Sequence, residues 1–414
     1  MRIVANDNRP SPLYRKPAAA PLRPAADEST RPQPKASSSS YPKKIWLVHA
    51  SFTGGHASAA NALKAALDRH PGVETEVINI SESSTSPFPT GTAAENALEG
   101  GQLVNWVRTW GFEQNLKGNL ALKLLQNAAV RVDGLFNSAF LSRIHQEKPD
   151  LIISTMSPTN SLLSQWRADG TIDTPVQSVV TDFGAHQMWA QSQIERFYVA
   201  SDGVKADLVK FGIQPERVRV TGIPIRPDFA RPAQTSPQAR QSLGLEPDKP
   251  MVLMMGGSLG YANFDETIDA LDALPQDFQM AVITGRNEEA RASLAARQTR
   301  HPLRVEGFVS NMPDWTDAAD LVVSKPGGLS TSEVLARGRP MLLKDALSGL
   351  EAHMVDRVVA TGAALAIEDA HHLGQTVGNL LDRPHEAQRM TEAARQHGHP
   401  EAADRVAELV LASL

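Results

Sequence analysis

The chain has 414 residues, of which 41% are apolar and 21% charged, with a net charge of −5. That is the composition of a soluble globular protein with length for two domains, and no overall positive field draws it to nucleic acid. It contains no cysteine, which excludes disulfides, thiolate metal sites and a cysteine nucleophile while leaving the compartment open.

Residues 1–42 carry eight prolines, an alanine cluster and the run Ser37 to Ser40. They read as a disordered, solubilising tail, because so little apolar surface does not offset the entropy of ordering. The first residues lack the apolar stretch of a secretory signal, and no apolar run approaches the ~18 residues of a spanning helix. The expected location is cytoplasmic, with any membrane contact peripheral.

From Lys43 short apolar strands alternate with helices. Strands are predicted at 44–50, 74–80, 149–155, 174–182, 196–201 and 218–224, with an alanine-rich amphipathic helix over 56–70. A polar, proline-containing stretch over 226–250 interrupts the alternation, which restarts with strands at 251–257, 278–285, 303–308, 319–325 and 339–345. Alternation of this kind gives parallel sheets covered by helices, so the fold class is α/β with two Rossmann-like domains. The expected boundaries are 43–228 and 248–385, a linker over 229–247, and C-terminal helices over 386–414 that return toward the first domain. Residues 99–148 are helical in pattern, with Trp106, Trp110, Phe112, Leu135, Phe136 and Phe140 among basic residues. They suit either a core-facing helix pair or an interfacial surface for an apolar acceptor.

Ligands in such sheets sit beyond the carboxyl ends of the strands, and the glycine-rich turns fall there. Gly54 and Gly55 let the backbone approach a ligand, and His56 follows at a helix N-terminus. That position favours the neutral imidazole, a candidate proton acceptor. Gly256, Gly257 and Ser258 offer amides and a hydroxyl to phosphate oxygens. Asp182 ends a strand, with His186 and Trp189 just beyond, so an Asp–His pair could form a base with its orienting partner. The remaining histidines show no metal-ligand spacing. In "SKPGGLSTSE" (324–333), Ser330 and Glu333 have the spacing of a capping box. The glutamate could equally hold the hydroxyls of a ribose beside the Gly327-Gly328 turn.

The ordered set "TGGHASAANAL", "VVTDFGAHQMW", "VTGIPI", "MMGGSLG", "VITGRNE" and "SKPGGLSTSEVLARGRPML" resembles the GT-B glycosyltransferases that include the monogalactosyl- and glucosyl-diacylglycerol synthases. The lipid-linked N-acetylglucosaminyltransferase of peptidoglycan synthesis is related to them. The resemblance covers roughly 44–385. It implies two Rossmann-like domains facing across a cleft, a UDP-hexose donor in the second, a lipid acceptor in the first, and an inverting transfer without metal or cofactor at the inner face of the cell membrane. By this match Glu333 holds the ribose, while Gly256, Gly257, Ser258, Gly327, Gly328, Ser330 and Thr331 line the phosphate side. Gly285, Arg286, Phe308, Val309 and Glu351 complete the donor site, and Gly54, Gly55, Trp106, Trp110 and Trp189 face the acceptor. His56, Asp182 and His186 are the catalytic candidates. Members usually carry Gly-Gln-Glu followed shortly by asparagine. Here Gly349 and Glu351 fit, but Leu350 and Met354 depart, and leucine cannot hydrogen-bond a sugar hydroxyl. Two other readings use the same architecture: a nucleotide-sugar 2-epimerase and a UDP-sugar-binding protein without catalysis.

Overall fold

The structure, a computed structural model, describes residues 41–50, 54–84, 136–257, 263–344 and 349–414, with side chains in the last segment from 352 onward. Residues 1–40 of the predicted tail, Trp106, Trp110, Ser258 and the side chains of Leu350 and Glu351 lie outside it.

The first sheet contains β1 (Lys43–His49), β2 (Val73–Asn79), β3 (Leu151–Ser154), β4 (Val176–Val179), β5 (Arg196–Val199) and β6 (Val218–Val220), in the order β2-β1-β3-β4-β5-β6. The second contains β7 (Met251–Met255), β8 (Gln279–Ile283), β9 (Leu303–Glu306), β10 (Leu321–Ser324), β11 (Met341–Leu343) and β12 (Ala364–Ala366), in the order β12-β11-β10-β7-β8-β9. Every pairing is parallel. Strands buried on both faces read as continuous apolar runs, and "LIIS", "MVLMM" and "LVVS" are wholly buried.

The helices are α1 (Gly55–Leu67), α2 (Ser138–Glu147), α3 (Ser157–Ala168), α4 (Asp202–Lys210), α5 (Ser236–Ser242), α6 (Phe264–Asp272), α7 (Glu288–Ala295), α8 (Met312–Ala318), α9 (Gly328–Ala336), α10 (Gly349–Val359), α11 (Ala370–Asp382), α12 (Pro384–His397) and α13 (Ala402–Leu411). Phe140 of α2 is buried between Trp46 and Trp166, with centroid distances of 6.1 and 6.0 Å. It belongs to the core, not to an acceptor surface.

One apolar cluster runs through both sheets, from Trp46 and Ile152 to Met251, Leu253 and Val334. The chain also crosses back. Val406, Ala407 and Val410 of α13 pack with Ala60, Leu63 and Leu67 of α1 over the outer face of the first sheet. The stretch between the sheets, predicted as linker, is tied down. Arg337 donates to Asp317 Oδ1 (2.7 Å), Phe229 O (3.1 Å) and Arg231 O (2.7 Å), and both members of the ion pair are buried. A buried pair with its remaining donors satisfied holds its geometry closely.

Candidate functional site

In each sheet the strand order reverses about a central strand, and the crevice at that reversal is where α/β folds bind ligands. In the first sheet it lies between β1 and β3, and the chain leaving β1 enters α1 through Gly54, whose φ of 97° is a glycine conformation. His56 stands in the first turn of α1. Its Nδ1 lies 2.9 Å from the Thr155 carbonyl oxygen and 2.8 Å from Thr181 Oγ1. A carbonyl only accepts, so Nδ1 carries a proton, and in the neutral ring Nε2 is the nitrogen with the lone pair.

Asp182 follows β4. Its carboxylate accepts the Trp189 indole N–H at 3.0 Å. Burial pushes this carboxyl above the usual range, against the opposing influence of the His56 charge and the Trp189 bond. Two groups that act on Asp182 are therefore His56 and Trp189. His186 is buried, and burial lowers its pKa to about 4, so it is neutral at pH 7. Residues 187–189 form a turn closed by Trp189 N–H to the His186 carbonyl (2.9 Å) rather than a helix. Trp189 is fully buried, so its ring is not presented to an acceptor: the apolar body fills the core and the N–H serves Asp182.

In the second sheet the reversal lies between β7 and β10. Gly256 and Gly257 follow β7, and Lys325 to Gly328 follow β10. Gly257 has φ 72°, and Lys325 runs beside it. The helix α9 begins at Gly328 with Gly327 as N-cap and no side-chain cap bond. Ser330 is thus inside the helix, and the capping box is absent. Glu333 lies a further turn in, and its carboxyl group makes no hydrogen bond among the described residues. Burial pushes its pKa up to about 7, with Arg226 opposing and Asp228 adding to the rise. Thr331 Oγ1 is buried and also lacks a hydrogen-bond partner there. At the ends of β8 and β9, Gly285 is buried in a turn with φ 61°, and Arg286 lies over the ring of Phe308, 5.7 Å from its centroid. Phe308 is 64% exposed, and Val309 packs against the core beside it.

The two crevices meet. A Cβ at Gly328 would overlap the Thr181 carbonyl oxygen and stand 3.4 Å from Asp182 Cα. A Cβ at Gly55 would stand 3.0 Å from Leu329 Cδ2. The N-termini of α1 and α9, with their unpaired amides and partial positive charge, therefore converge on Asp182. Met354 of α10, at the position where the resemblance expects asparagine, is buried in the core. Sequence reading missed Thr155 and Thr181, although both lie within two residues of a strand end, where ligands gather. Among the described residues no three His, Asp or Glu are grouped to hold a metal.

An acid whose pKa is raised on folding weakens the fold as pH rises through that pKa. Glu333→Gln is therefore expected to stabilise the protein above pH 7 and to change little below pH 4.5, as read by thermal unfolding across pH. If the ionised carboxylate accepts ligand hydroxyls, wild-type affinity for that ligand also falls below pH 7. The variant binds more weakly and lacks that component. Calorimetric titration at several pH values checks both.

Residues 56–225 match the family Monogalactosyldiacylglycerol (MGDG) synthase, and residues 251–406 match the Glycosyltransferase family 28 C-terminal domain. The monogalactosyldiacylglycerol synthase of Spinacia oleracea is 27% identical over 376 residues, covering 87% of this chain and 70% of the spinach protein. The processive diacylglycerol beta-glucosyltransferase of Bacillus pumilus is 33% identical over 241 residues, 58% of this chain and 62% of that one. Among solved structures, MurG of Acinetobacter baumannii superposes with a TM-score of 0.58 at 19% identity, covering 90% of this chain and all of that one. At that identity the likeness is one of fold, and the fold is GT-B.

Proposed function

We propose, from the premise that the chain belongs to the glycosyltransferases of the monogalactosyldiacylglycerol synthase family, that it transfers a hexose from a UDP-sugar to diacylglycerol. The observation that carries this is the meeting of the two crevices, which brings a histidine with a free lone pair against a helix N-terminus suited to a diphosphate. In this reading the uracil rests by Phe308 and Val309, and Arg286 and Gly285 border it. Glu333 accepts from the ribose hydroxyls. The phosphates take the amides at Gly256, Gly257 and the start of α9, with Ser330, Thr331 and Lys325 beside them.

His56 Nε2 takes the proton from the acceptor hydroxyl, and its oxygen forms a bond to the anomeric carbon. The bond from that carbon to the phosphate oxygen breaks, and UDP leaves with the electron pair. Asp182 stabilises the imidazolium. Base and leaving group approach from opposite lobes, which favours inversion. Amides and Lys325 supply the stabilisation of departing charge that a cation gives elsewhere. The residue types of the donor loop leave the hexose to experiment, since Leu350 cannot bond a sugar hydroxyl.

Among the described residues no helix is long and apolar enough to cross a membrane, which suits a protein that visits a membrane surface for its acceptor. Incubating the full chain with diacylglycerol vesicles and a panel of UDP-hexoses, with and without EDTA, tests the reading. The expected result is an EDTA-insensitive glycolipid of inverted anomeric configuration. Free interconverted UDP-sugar, or binding without turnover, contradicts it.

A further inference from the structure

A donor entering this crevice needs the lobes to part. The lobes are in contact across it: a Cβ at Gly328 would overlap the Thr181 carbonyl oxygen, and one at Gly55 would stand 3.0 Å from Leu329 Cδ2. Transfer in turn needs Asp182 and α9 back in contact. Something must therefore hold the lobes together reversibly, and one carboxylate is built for it. Asp207 of α4 is buried and accepts the Ala185 amide at 3.2 Å in its own lobe. From the other lobe, His353 Nε2 of α10 lies 3.2 Å from the same carboxylate, and the Arg357 guanidinium donates to its second oxygen. Burial opposes ionisation of Asp207, but His353, the Ala185 amide and Arg357 together hold its carboxyl below the usual range.

The contact is close on both sides of this bridge. A Cβ at Gly184 would stand 2.6 Å from His353 Cδ2, and one at Gly203 would stand 3.1 Å from Arg357 Nη1. The backbone at 183–185 is continuous with Asp182, and α10 begins at Gly349, in the stretch expected to meet the donor sugar. Donor recognition and acceptor-side geometry thus meet at Asp207.

We propose that Asp207 is a positioning residue whose pairing with His353 and Arg357 latches the lobes and sets Asp182 against the N-terminus of α9 for transfer. The proposal rests on the function proposed above. Asn at 207 keeps an oxygen for the Ala185 amide but loses the charge that draws the other lobe. Asp207→Asn, Arg357→Met and their double variant are measured with diacylglycerol vesicles and the active UDP-hexose. The expected kcat loss is about 10- to 100-fold, with KM for the donor within about twofold, and with the double variant no worse than Asp207→Asn. Unchanged kcat, a loss carried by KM, or multiplying losses overturn the latch.

A second readout does not need turnover. The chain has no native cysteine, so Lys210→Cys and Glu289→Cys, both at exposed positions in opposite lobes, accept a fluorophore pair cleanly. Energy transfer should report a longer mean distance in Arg357→Met and Asp207→Asn than in the parent. An identical distribution in all three overturns the latch. If the parent closes but makes no glycolipid, the functional reading fails while the latch stands.

Discussion

Replacing His56 by alanine is expected to lower kcat by about 10²- to 10⁴-fold, the range for loss of a positioned general base, with UDP affinity unchanged. The split follows from location. His56 belongs to the first sheet's crevice, where its Nδ1–H meets the Thr155 carbonyl, and it lies outside the amides and Glu333 that form the proposed donor site. Alanine removes the lone pair on Nε2 and the imidazole whose charge acts on Asp182 while keeping α1 intact, since alanine is a strong helix former. A matched fall in kcat/KM and kcat would place the loss in the transition state. A rise in KM alone would assign His56 to binding.

Gly328→Ala is expected to cost about 100-fold or more in kcat, because misplacement by an ångström suffices for that. The added methyl would overlap the Thr181 carbonyl oxygen and reach 3.0 Å from its carbon. Both sides of this contact are backbone, so no flexible side chain can yield, and α9 must withdraw from Asp182. UDP affinity should stay within a few-fold, since the amides of α9 remain. Gly327→Ala is the control. Its Cβ would meet only Ser330 Oγ at 3.7 Å, an ordinary contact, and its φ of −95° suits any residue. Equal losses in the two variants would show that the interlobe contact is not the cause.

Much of the fold is legible in the chain because strands buried on both faces must be apolar throughout. Eleven of the twelve described strands fall at predicted positions, the central ones as apolar runs such as "MVLMM" and "LVVS" and the edge strands β2 and β9 with charged residues interspersed, though the predicted ends mostly overshoot. The exception is β12, three residues long with two of them exposed, which offers neither length nor alternation. The site is legible where it is local: Gly54 to His56, Gly256-Gly257 and Lys325 to Gly328 all follow strands. It is illegible where it depends on register or distance. The spacing of Ser330 and Glu333 could not reveal that α9 starts three residues earlier, with Gly327 as its N-cap. Residue type could not reveal that Trp189 is buried and bonded to Asp182. Asp207 meets His353 and Arg357 across 146 and 150 residues, and no pattern in one sequence joins positions so far apart.

The most direct test of the account is a titration of UDP into the intact wild-type protein at pH 8, where Glu333 is ionised. The account predicts saturable heat at a single site, with Kd between about 1 μM and 1 mM, the usual range for an enzyme's substrate. No heat with UDP or any UDP-hexose from a folded sample would contradict it.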